Sequence, residues 1–225
     1  MDQFFSPHHI WESLPQILQG FVTNLEMMFV AELLVLVWAL VIVAARMAPG
    51  RFGRPLRWLA IAYVDFFRGV PLIILFVLVG FGLPQLGAPF DQVPLFWYSV
   101  IALVLCYGAF VAEDYRAGID SIHPSQIAAS RSLGLSSAKT MRFVVLPQAI
   151  RRVVPPLMND FVSLQKDTAL ASVLGIVEGF QAATIYAGNH LNYSSVMGVA
   201  LCFLLITIPC TRLADYLLRR TDYRR

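Results

Sequence analysis

The sequence predicts an all-α integral membrane protein with about five transmembrane helices. Composition, run length and the placement of basic residues carry that prediction. Of the 225 residues, 58% are hydrophobic and 14% charged, and the mean hydropathy is +0.67, outside the balance of a soluble globular domain. Five nearly uncharged runs reach the ~20 residues needed to cross ~30 Å of hydrocarbon at ~1.5 Å per residue. They are residues 25–45, 58–83, 93–112, 153–177 and 195–218. Backbone groups in lipid must be satisfied within the segment, and the alternation of barrel strands is absent, so the runs read as helices.

The third run is the cleanest, because residues 93–112 hold no charge. The connection before it carries Asp91, and the connection before the second run carries Arg46, Arg51, Arg54 and Arg57. Six more cations, Arg116, Arg131, Lys139, Arg142, Arg151 and Arg152, lie between the third and fourth runs; Arg212, Arg219, Arg220, Arg224 and Arg225 close the chain. The first 24 residues, the loop near Asp91 and residues 178–194 contain no Lys or Arg. By the positive-inside rule the amino terminus is expected outside and the carboxyl terminus in the cytoplasm. No basic residue precedes the first apolar run and no small-residue cleavage pattern closes it, so that run reads as a retained helix rather than a cleaved signal.

Cys106, Cys202 and Cys210 stand in apolar runs without paired spacing and read as packing residues. His8, His9, His123 and His190 are dispersed along the chain and far from any cysteine, so no metal site is expected. The net charge of +3 belongs to the basic rims and does not point to nucleic acid.

Residues 117–156 form the one sizeable polar segment, too short for an enzyme domain and suited to acting through a partner. Ser121 to Ser125 signals a helix start, 126–133 is helix-permissive, and Gly134 ends it. Ser136 or Ser137 caps a second helix expected to run to Leu146 before Pro147. Within it, Ala128-Ala129-Ser130, three residues, Gly134, nine residues, Val144, one residue, and Leu146-Pro147 resemble the EAA loop of ABC importer permeases. Spacing is kept, while Ala128, Ser130 and Val144 replace the pattern's Glu, second Ala and Ile. Asp65 to Leu72, Tyr107 to Glu113, Leu146 to Ala149 and Lys166 to Val173 are similar to the polar amino acid branch, which takes up histidine, glutamate, glutamine, arginine or opines.

The resemblance implies a type I importer permease, one transmembrane domain over 1–225, in the bacterial cytoplasmic membrane. It further implies an identical or paralogous second permease, two cytoplasmic ATPase subunits and an extracytoplasmic amino acid binding protein. ATP and Mg would sit on the ATPases, with no cofactor in this chain. Ala128, Ala129, Ser130, Gly134, Leu146 and Pro147 would then form the ATPase-coupling element.

Ionisable groups in the runs mark the second candidate site, because a charge near a helix centre costs ~2.5–3.5 kcal/mol on insertion scales. Asp160, Ser163 and Asp167 share one helical face, and Asn159, Ser163 and Lys166 make an overlapping stripe. With Arg68 they are expected to line the substrate path; the alternative is that Lys166 and Asp167 only satisfy one another or neighbouring spans. Asp65 and Arg68, three apart, either pair to orient the turn before Gly69 and Pro71 or contact substrate. Ala171 and Gly175 read as a small-residue packing pair, and Glu113, Asp114 and Arg116 as a solvated rim. Gly134 to Thr140 lacks the second glycine of a phosphate-binding loop, so this chain is not expected to bind ATP. An ATP-independent transporter or channel is the alternative reading, although no internal repeat is visible. Neither HExxH nor a nucleophile with its base supports a membrane enzyme.

Overall fold

The computed structural model describes residues 3–222, with side chains described through residue 216. Arg219, Arg220, Arg224 and Arg225 of the basic carboxyl end lie outside the residues whose side chains are described. Every regular element among the described residues is helical. Among the described residues three helices are long and apolar enough to cross a membrane, and two bent pairs bring the number to five if each pair is one span.

The first helix, α1, runs Pro7–Arg46, far beyond the predicted 25–45. At ~1.5 Å per residue its 40 residues extend about 60 Å. Its first half is helical because Ser13, Ile17, Gly20, Phe21 and Asn24 recur at helical spacing and are all buried. Ile17 and Phe21 pack there against Ala183, Val199 and Cys202 of the last two helices.

The predicted second span is not straight. It divides into α2, Arg54–Gly69, and α3, Leu72–Val77, with a 107° bend between Arg54–Gly69 and Leu72–Leu86. Pro71 is the cause: Val70 before it takes the extended conformation, φ −95 and ψ 130, since the α region is disfavoured ahead of a proline ring. The third span, α4, runs Leu95–Asp120 and occupies the centre of the core, where Tyr98, Leu103, Ala109 and Ala112 meet Met27, Val35 and Ala39 of α1 and Leu164 further on.

The polar connection holds α5, Pro124–Ser132, and α6, Ser137–Thr140. The second helix of this connection does not stop before Pro147. A π turn at Met141–Val145 leads directly into α7, Leu146–Asp167, and Pro147, which has no N–H to donate, falls at the junction where the regular bonding pattern is already shifted. The fourth span also departs from expectation at its far end. After a 3₁₀ stretch, Thr168–Leu174, the backbone turns at Gly175, φ +83, and α8, Gly179–His190, follows at 52°. Gly175 is thus a turn residue rather than half of a packing pair, and a helix occupies most of what reads as an external loop. Finally α9 spans Ser194–Asp222.

A buried polar hub fixes that break. Glu178 is fully buried, caps α8 by accepting the N–H groups of Phe180 and Gln181 at 2.9 and 2.8 Å, and accepts from the Asn24 amide at 2.9 Å. Asn24 also donates to Thr168 and accepts from Gly179 N–H. Gly20 permits the approach, because a Cβ there would lie 2.6 Å from the Glu178 carbonyl carbon. Three of the four histidines are not dispersed in space: His8, His9 and His190 gather where the start of α1 meets the end of α8, around Tyr186, while His123 stands apart at the start of α5.

Candidate functional site: an acidic cavity and a helical elbow

At Gly69-Val70-Pro71 the bend faces α4 and α7. The space between them is a cavity of about 460 Å³, lined by Arg68, Tyr107, Phe110, Asp160, Ser163 and Asp167, with Cys106 and the bend itself. That volume falls within the ~300–1,000 Å³ typical of small-molecule sites. Tyr107 donates its hydroxyl to Asp167 Oδ2 at 2.7 Å, so Asp167 is held by α4 and not by its neighbour Lys166. The Arg68 guanidinium lies 5.3 Å from the centre of the Phe110 ring. Among the described residues Arg68 makes no ion pair with Asp65, so the pairing considered for these two does not form. Asp160 Oδ2 is buried without a hydrogen-bond partner among the described residues, and Asp114, Glu32 and Arg68 are near enough to act on its charge.

Of the six residues predicted for the path, the structure brings Arg68, Asp160, Ser163 and Asp167 to this cavity. Asn159 and Lys166 are exposed on another face, and Lys166 borders a separate apolar hollow with Phe180, Val199 and Phe203. Sequence reasoning missed Tyr107, Phe110 and Asp114. A hydroxyl within an otherwise apolar span was the available signal for Tyr107; nothing in the periodicity separated Asp114 from its neighbours. The rim group in fact divides. Glu113 pairs with Arg46 and Arg116, and Arg116 reaches Asp120 at 2.7 Å, whereas Asp114 interacts with Asp160 and Arg68.

The second candidate site is the elbow between α5 and α6. The Nδ1 atom of His123 caps α5 by accepting Ser125 N–H. At the other end Gly134 N–H reaches Arg131 O at 3.0 Å and Leu135 N–H reaches Ser130 O at 3.2 Å, the paired closing bonds of a Schellman ending. It requires a left-handed residue, and Gly134 has φ +82. Ser136 caps α6. Ser130, one of the departures from the EAA pattern, is buried and its hydroxyl lies 3.0 Å from that of Thr140, pinning α5 to α6. Gln148 of α7 donates to Gln126 of α5 at 2.6 Å. Ala128, Ala129, Gly134, Leu146 and Pro147 are exposed, and Leu133 and Phe143 stand out at 83% and 63% exposure, so the elbow presents an apolar knuckle on a rigid support.

Residues 40–224 match the family model described as the inner membrane component of binding-protein-dependent transport systems. The chain is 38% identical over 173 residues to the probable glutamine ABC transporter permease protein GlnM of Bacillus subtilis, covering 75% of this chain and 77% of that one. It is 34% identical over 188 residues to the arginine transport system permease protein ArtQ of the same organism, covering 83% of each. A crystal structure of an amino acid ABC transporter with histidines superposes with a TM-score of 0.84 at 31% identity, covering 92% of this chain and 94% of that one.

Proposed function

Because the chain belongs to the family of inner membrane components of binding-protein-dependent transport systems, we propose that it is the permease subunit of an ATP-driven importer of polar or charged amino acids. The observation that carries the proposal is the family match over residues 40–224. The acidic cavity and the capped elbow supply the two parts such a subunit needs. In this reading the elbow, with Ala128, Ala129, Ser130, Gly134, Leu146 and Pro147, docks in partner ATPase subunits that hold ATP and Mg. An extracytoplasmic binding protein delivers substrate from above, and a second permease, identical or paralogous, completes the pathway. Closure of the ATPases moves the docked elbows and shifts the helices between outward-open and inward-open states, an equilibrium that nucleotide and loaded binding protein bias from opposite ends.

The chemistry of the cavity suits a zwitterion with extra positive charge. Arg68 offers a fork for the α-carboxylate. Asp160, with an oxygen lacking a partner, is the acceptor for an ammonium or guanidinium group, and Asp167 is held ready by Tyr107. Carboxylates outnumber cations on this lining, so cationic amino acids are the favoured cargo. The membrane is the bacterial cytoplasmic membrane, with the amino terminus outside and the elbow in the cytoplasm.

Reconstitution of the chain with its ATPase and binding protein in proteoliposomes tests the proposal. Uptake is expected to require ATP hydrolysis and the binding protein. Uptake driven by an ion gradient without ATP would replace it with the secondary-transporter reading. Single cysteines at Asp91 and Asn189 are expected to react with an impermeant reagent in intact cells, and one at Ser137 only after permeabilisation; the reverse pattern would invert the orientation.

A further inference from the structure

The first turns of α1 place two imidazoles and a carboxylate on neighbouring faces, since His8 and Glu12 are four apart and His9 and Glu12 three apart. The Nδ1 atoms of His8 and His9 lie 3.6 and 3.8 Å from Glu12 Oε2, and one ligand atom from each of the three residues lies within 4.8 Å of the others. Two ligands about 2.0–2.2 Å from a tetrahedral zinc stand roughly 3.3–3.6 Å apart, so the two histidine–glutamate separations already approach that geometry.

The surroundings resemble a second coordination shell. The Tyr186 hydroxyl of α8 donates to Glu12 Oε2 at 2.6 Å and, having given its one proton there, accepts from His9 Nδ1–H at 2.9 Å, a proton that a bound metal ion displaces. Tyr186 is held in turn by His190, whose ring stacks on it at 3.9 Å and whose Nδ1 meets the Tyr186 carbonyl at 3.0 Å. Metal-ligating carboxylates are held by such outer hydrogen bonds. No Lys or Arg precedes Arg46, and α8 contains none, so no neighbouring side-chain ammonium or guanidinium competes for the carboxylate on these two elements. The amino end of α1 disfavours a cation, and the Glu12 charge offsets it. Two imidazoles with one carboxylate suit a borderline transition metal; Ca²⁺ and Mg²⁺ prefer oxygen alone.

We propose that His8, His9 and Glu12 form a binding site for a divalent transition-metal ion of the Zn²⁺ class, with Tyr186 positioning Glu12. The site needs no transport activity and stands apart from the permease reading. Its test is titration of the intact, tag-free transporter complex in lipid nanodiscs with Zn²⁺, and with Co²⁺ to read ligand geometry from its visible spectrum. One ion per copy of this chain is expected. The double variant His8→Ala/His9→Ala should lose it, Tyr186→Phe should weaken it about tenfold, as outer-shell losses do, and His123→Ala should leave it unchanged. His8 is exposed and His9 half-buried, whereas Tyr186 is buried, and equal elution volumes of variant and parent complexes check that assembly is intact. Zn²⁺ binding that persists in the double variant, or a parent that binds no ion, would overturn the proposal.

Discussion

Glu178 is fully buried and takes three hydrogen bonds on its two carboxylate oxygens, whereas Asp160 borders a cavity with one oxygen buried and unpartnered. Both acids occupy apolar stretches of chain, yet the first is saturated by three donors from two elements, α1 and α8, and the second is left with capacity to spare. An acid whose bonds are all made is a fastener: it can only lose by change. An acid that lines a cavity near an arginine, with acceptor capacity left over, has bonds still to make, which is what a transient cargo requires.

Substitutions that break this contrast rank by what they leave stranded. Glu178→Ala strips the acceptor from the Asn24 amide and from two N–H groups of α8, each loss costing about 1–3 kcal/mol in a buried site. It should therefore give the largest effect, a fall in the yield and thermal stability of monodisperse protein in detergent. Gly20→Val should do the same by forcing a side chain into the Glu178 backbone; a well-behaved Gly20→Val protein would show that α1 and α8 can separate without penalty. Asp167→Asn should leave folding intact and lower uptake about tenfold, the size expected for losing a hydrogen bond to a charge. Tyr107→Phe, which removes a single hydroxyl contact of about 1 kcal/mol, should lower uptake about fivefold. Lys166→Gln and Asn159→Ala, on the exposed face of the same helix, should change uptake by less than about twofold. A larger loss in these two than in Asp167→Asn would move the path to the other side of α7.

The contrast also marks how far the sequence could be read. Helices α4 and α9 and the elbow were legible because their signals are local: an uncharged run, and a glycine between capped polar helices. The face shared by Asp160, Ser163 and Asp167 was legible as periodicity, but Asn159 and Lys166 fitted an equally regular stripe, and only the packing of α2 and α4 decides which one borders the cavity. The 107° bend had its local cause in Pro71, though hydropathy alone reads through it. Most hidden were the first half of α1 and α8, whose hydrophobic runs are interrupted along the chain by Gln16, Gln19, Asn24 and Gln181. Their stability comes from each other, and Glu178 finds its partner Asn24 154 positions away. The same long-range closure brings His190 to the adjacent His8 and His9, from which it is far along the chain.

The most direct test of the acidic cavity as the substrate path is Asp160→Asn, assembled with its ATPase and binding protein in proteoliposomes. Uptake of a cationic and of a neutral amino acid should be followed alongside basal ATP hydrolysis. The complex should assemble and retain basal hydrolysis, while uptake of the cationic amino acid falls about tenfold and that of the neutral one falls less, reducing the preference between them. Unchanged uptake with unchanged preference, or a complex that fails to assemble, would make Asp160 a structural residue like Glu178 and place the path elsewhere.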